Sequence, residues 1–240
     1  MSQIQTLVNY LHRYYALPHH DDKALSAALD TIQSWQRQRI HRENLALFHQ
    51  PNTAPLAHFL IDRIYNHATF DIIAEQLLTA GNNALGGSGK LEKLVPKNAL
   101  SAGLISVLAA INAIELDLAL AQYYIANFAN DHADDGSQAI DTIDDALMIH
   151  LYQAVDAKDA RIEQIAHIGE VCRTCYQSFN SFLLYKAFGL AKKTAYHNGY
   201  QPLYDFIHDG LHAIKCIDNI EDFTVPFIQT ETAIIRQIHG

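Results

Sequence analysis

"NALSAGLISVLAAINAIELDLALAQYYIANF", residues 98–128, decides the fold. Its apolar residues do not alternate with polar ones, as a half-buried strand requires. They are spread around a whole helical wheel. Asn98 can accept from the free amides that open a helix. A helix apolar on nearly all sides has no face for water, so other helices must cover it. The stretch therefore reads as the central helix of an all-α protein. Its only charged side chains are Glu115 and Asp117. On the wheel Glu115 falls among Leu104, Leu108, Ile111, Leu118 and Gln122, within an apolar stripe.

The covering helices lie on both sides of it. Upstream, residues 3–16 form a helix started by Ser2 and stopped before Pro18. Residues 21–51 form a long one, with Asp21 and Asp22 at its N-terminus and Pro51 at its end. A third starts at Thr53 with Pro55 in its first turn. A fourth is capped by Thr69 and closed by Gly81. Downstream, helices are expected at about 138–155, 157–189 (broken near Gly189), 201–217 and 219–238 (interrupted at Pro226). No segment has period two, and no linker or internal repeat is apparent. The expectation is one all-α domain over 1–240, a multi-helix bundle of about eight to ten helices with no sheet.

Composition narrows the function classes. The 240 residues are 49% hydrophobic and 18% charged, enough for a real core, and the net charge is −9. An acidic chain with scattered Lys and Arg is a poor ligand for nucleic acid or an anionic membrane. Three cysteines make no disulfide framework. No leader or membrane-spanning stretch is apparent, because polar residues interrupt every apolar run. A cytoplasmic protein is expected.

Two loops resemble binding motifs and fail them. "GNNALGGSGK", residues 81–90, has the first spacing of a phosphate-binding loop, but Gly87 and Ser88 stand where Lys and Ser/Thr belong. It reads as a flexible joint between helices, followed by one or two turns through Lys97. The acidic loop 129–137 begins a calcium-like string, yet Ala133 and Thr142 fail at the third and twelfth positions.

"HFLIDRIY", His58 to Tyr65, resembles the string that names the FFLEELY-motif family, all-helical proteins of gamma-proteobacteria. Phe59, Leu60 and Tyr65 match; His58, Ile61, Asp62 and Arg63 depart from it. "LEKLVPK" (91–97), "ELDLALA" (115–121) and "IEDFTVPFIQTETAII" (220–235) resemble further anchors of that family in order. The resemblance implies an all-helical fold. It carries no activity, cofactor or site residue.

Candidate chemistry rests on few groups. A buried carboxylate must be paired or protonated, which singles out Glu115. Its structural reading is a pair with Arg39, Arg63 or a Tyr; its functional reading is a ligand contact, together with Gln122 and Tyr65. Asp205, His208 and His212 lie at i, i+3 and i+7 on one helical face and could share a metal. The opposite face is apolar, so a solvated face is the stronger reading. Cys172 and Cys175 read as small buried apolar residues. No Glu-x-x-His pair supports a di-iron bundle, and no cofactor is expected. Two functions stay open. One is a non-catalytic protein that binds a protein or a small apolar ligand, with homo-oligomerisation undecided. The other is an enzyme or carrier with a cavity near Glu115.

Overall fold

The computed structural model describes residues 2–87, 97–128, 143–180 and 182–240. The acidic loop 129–137, the end of the glycine-rich stretch and the turns expected before Lys97 lie outside the described residues. Twelve α-helices and no strand occur among the described residues, so the all-α expectation holds with slightly more helices than anticipated. They are α1 Gln3–Tyr15, α2 Lys23–Glu43, α3 Leu45–His49, α4 Ala54–His58, α5 His67–Gly86 and α6 Lys97–Phe128. There follow α7 Asp145–Val155, α8 Lys158–Phe179, α9 Phe182–Leu190, α10 Lys192–His197, α11 Gln201–Cys216 and α12 Glu221–His239. A 3-10 turn, Pro18–His20, joins α1 to α2, and a π-helical segment, Phe59–Ile64, continues α4.

Helix α6 is the central element. It packs most extensively on α8 and α2, then on α1 and α7. By length and composition alone it could cross a membrane, although polar residues interrupt it. Leu11 and Tyr14 of α1, Leu29 and Ile32 of α2, and Met148 and Leu151 of α7 are fully buried in the same cluster as Ile111 and Leu120 of α6. Each such aliphatic side chain contributes about 1.5–3 kcal/mol by leaving water. A second cluster joins Phe48, Leu56 and Ile61 to Ile217, Phe223 and Phe227.

Local chemistry explains where the helices start and stop. Ser2 Oγ accepts from the Gln5 amide, and Asp22 Oδ1 accepts from the amides of Ala24 and Leu25. The long helix expected over 21–51 divides at Asn44. There the side-chain amide donates to Ile40 O and to Glu231 Oε1. The cap of α5 is Asn66, not Thr69, and accepts from the Thr69 amide. The Thr53 hydroxyl does not cap α4; it donates to Leu47 O at 2.8 Å. The break expected near Gly189 is present, since α9 ends at Leu190 and α10 starts at Lys192, and a further break falls at Asn180. Pro226 lies inside an unbroken α12. Proline there removes one helical bond near the start, while burial of Phe223, Phe227, Ile235 and Ile238 holds the rest.

Gly81 does not stop α5, which continues to Gly86. Its missing side chain serves packing instead. A Cβ there would lie 2.8 Å from Val8 Cγ2 of α1. Val8 is buried and β-branched, so it cannot swing aside. Gly81→Ala gains about 1 kcal/mol of helix propensity but overpacks the crossing by about 1–3 kcal/mol. A net loss of about 1 kcal/mol is expected in urea denaturation. Gly86→Ala meets nothing within 4 Å and should be neutral or stabilising. Equal effects at the two positions would sink this account of Gly81.

Candidate functional site: a buried polar core and a surface imidazole cluster

Helix α2 sends Gln33, Gln36 and Arg39 inward at steps of three, so they share one face. All three are buried. They meet polar groups from four other helices. Asp117 of α6 is fully buried, and its Oδ1 accepts from Arg161 Nη1 of α8 at 2.8 Å. Its Oδ2 accepts from Tyr65 Oη at 2.6 Å and from Gln33 Nε2 at 3.4 Å. Gln33 Oε1 in turn accepts from the His67 backbone amide at 2.9 Å, which ties down the start of α5.

The second half repeats the arrangement. Arg39 Nη2 donates to Glu231 Oε2 of α12 at 2.7 Å, and Asn44 Nδ2 donates to Glu231 Oε1 at 2.7 Å. Tyr152 of α7 connects the halves. Its hydroxyl is hydrogen-bonded to Gln36 Nε2, and the Arg161 guanidinium lies 5.2 Å from its ring centre. The result is two buried arginines matched by two buried carboxylates. Burial works against both guanidinium charges, but the groups around them together outweigh it, Glu231 and then Tyr152 at Arg39, and Tyr152 and then Asp117 at Arg161, so both are held above their ordinary values. Burial, and then the Asp117 charge, push the Tyr65 phenol well up. A phenol so raised is a poor acid, and each carboxylate is already taken up by a guanidinium. The network suits fixing helix registers better than moving protons.

The residues singled out in the sequence are dispersed. Glu115 is half-buried, its side chain 29% exposed, and both its oxygens are bound by Arg13 of α1. The partner is neither Arg39 nor Arg63. Gln122 is exposed on α6. Tyr65 belongs to the Asp117 network instead. The fully buried acid of the central helix is thus Asp117, which the wheel did not single out. On α11 each member of the triplet has its own partner. Asp205 accepts from Tyr196 Oη at 2.6 Å, His208 Nε2 meets Tyr185 Oη at 3.2 Å, and His212 Nε2 lies 3.8 Å from Cys216 Sγ. Cys172 is buried and Cys175 half-buried; both are free thiols pushed up by burial. They are therefore weak nucleophiles.

A different trio converges on the surface. His41 Nε2 of α2 lies 2.6 Å from Asp62 Oδ1, and His58 Nδ1 of α4 lies 2.7 Å from Asp62 Oδ2. Partial burial raises the Asp62 carboxyl, but the bonds and charges of the two histidines outweigh it and hold the carboxyl below its usual value. Asp62 lies in the π-helical segment, a rare geometry often found at functional positions.

A family model described as Domain of unknown function (DUF8198) matches residues 16–240. The chain belongs to this family. The DUF8198 match contains the whole buried network and the His41–His58–Asp62 trio. It leaves out Arg13, so the Arg13–Glu115 pair straddles its edge. No curated protein and no solved structure matches the chain.

Proposed function

We propose that the protein is a cytoplasmic, non-catalytic binding protein whose partner is a protein segment bearing apolar and basic side chains. One groove carries this reading. It encloses about 380 Å³ beside the end of α1 and one face of α5, and Tyr15, Asp71, Ile72, Glu75 and Leu78 line it. Ile72 is 53% exposed and, with Leu78, gives the groove an apolar side. Asp71 and Glu75 stand one turn apart on the same wall. Burial, then the charges of Asp71 and Glu75, push the Tyr15 phenol up to about 12, so the wall is acidic. An amphipathic helix with leucines toward Ile72 and Leu78 and lysines toward the carboxylates complements these features. The three free thiols fit a reducing compartment.

The alternative, a catalytic cavity at Glu115, finds less support, because Arg13 already occupies that carboxylate. We also read the chain as an FFLEELY-motif protein of gamma-proteobacteria, from the anchors at 58–65, 91–97, 115–121 and 220–235. The same anchors in the same order across the DUF8198 family would test that reading.

The probe for the groove is a fluorescent amphipathic peptide of leucine and lysine, followed by anisotropy. Binding is expected, and Ile72→Asp or the charge reversal Asp71→Lys/Glu75→Lys should weaken it by about tenfold or more, roughly 1.4 kcal/mol. Unchanged binding in both variants would remove the groove from the proposal.

A further inference from the structure

We propose that His41, His58 and Asp62 form a binding site for one divalent transition-metal ion, with Zn2+ as the ion. Two imidazoles and one carboxylate are a donor set that such ions favour. Their ligand atoms all lie within 4.8 Å of one another. Both imidazole nitrogens already aim at the same carboxylate, at 2.6 and 2.7 Å. Around a tetrahedral Zn2+ with bonds near 2.0–2.1 Å, neighbouring ligand atoms sit roughly 3.3 Å apart. The carboxylate therefore retreats from each ring by about 0.6 Å, and the donor atoms, all within 4.8 Å of one another, close to that common spacing. Side-chain exposures of 34%, 54% and 40% leave room for that shift.

The rings are held in advance. Phe48, itself buried, stacks on His41 with ring centres 3.8 Å apart and meets His58 edge-on at 5.2 Å. His41 stands on the long helix α2, while His58 and Asp62 stand one turn apart where α4 passes into the π-helical segment. A rigid helix and a fixed turn thus bring three donors to one point. With three protein donors, at least one coordination position stays open, and it faces solvent. The site is separate from the α1–α5 groove, so it stands or falls independently of the binding proposal.

The test uses the full chain without an affinity tag, stripped with EDTA and titrated with Zn2+ by calorimetry and with Co2+ by visible absorption. One ion per chain is expected, with a rise in Tm on adding Zn2+. Loss of outer-shell partners weakens metal sites by about 10–100-fold, so His58→Ala and Asp62→Asn should each weaken binding by at least about tenfold and abolish the Tm shift. His41→Gln, which keeps a planar group over Phe48, should do the same. His208→Ala/His212→Ala should bind as the natural chain does. Unchanged circular dichroism certifies the fold of each variant. The proposal is overturned if the natural chain takes up no stoichiometric ion, or if folded His58→Ala binds Zn2+ as tightly as the natural chain.

Discussion

Asp117→Ala is expected to lower the unfolding free energy by about 3–5 kcal/mol, the usual cost of removing one partner from a buried ion pair. The loss arises chiefly from what is left behind. Arg161 is 4% exposed, and its Nη2 already lacks a partner among the described residues. Without Asp117 its charge stays buried with only Gln164 Oε1, 3.3 Å from Nη1, as an acceptor. Tyr65 and Gln33 lose an acceptor in the same step. Glu115→Ala, two residues earlier on the same helix, is the control. Its partner Arg13 has a side chain 45% exposed, so that pair should be worth only about 0–1 kcal/mol. The double variant Asp117→Leu/Arg161→Met removes both charges and should recover most of the loss. Urea denaturation of the four proteins decides the matter. A smaller loss at Asp117 than at Glu115 would refute the reading of the network as a structural lock.

That contrast shows where the sequence was legible. The apolar wheel of 98–128 correctly marks a central helix, because nothing but burial suits such a surface. The same uniformity hides which side faces which neighbour. Glu115 and Asp117 are about 200° apart on a helix, and no polar face orients them. A usable signal lay elsewhere. Arg161 is one turn before Ile165, in phase with the buried Cys172, and Gln33 and Gln36 sit between the buried Ile32 and Ile40. Polar groups in step with a core stripe mark buried partners. Gly81 and Pro226 misled for a related reason. Local rules read them as a stop and a break, whereas tertiary packing uses the first for a close helix crossing and tolerates the second. The imidazole trio was out of reach, since His41 is far from His58 along the chain and only the fold joins them.

Acidification from about pH 7 to about pH 4 should remove about 3 kcal/mol of stability through His19. His19 is 4% exposed, and both its ring nitrogens are buried without hydrogen bonds among the described residues. Its surroundings include Tyr14 and two further imidazoles. The His20 and His67 ring centres lie 4.0 and 5.5 Å away. Burial first, and then these neighbours, lower its pKa from 6.5 to about 4. Between those values the unfolded chain binds a proton that the folded chain refuses. Stability is therefore complete above about pH 6.5, falls as the pH drops through the window, and levels off below about pH 4. His67, lowered by the same burial, adds in the same direction. The carboxylates act in a lower window. Hydrogen bonds from Arg173 and Thr224 hold Glu221 at about 2, so its contribution is lost only as the pH falls below its unfolded value of 4.5. Denaturation of the natural chain and of His19→Phe at several pH values separates these terms. Phenylalanine keeps the ring packing and cannot take up the proton, so the variant should lose most of the slope between about pH 6.5 and pH 4.5. It should also be the more stable protein at low pH. If both proteins show the same slope in that window, the acid sensitivity does not reside in His19.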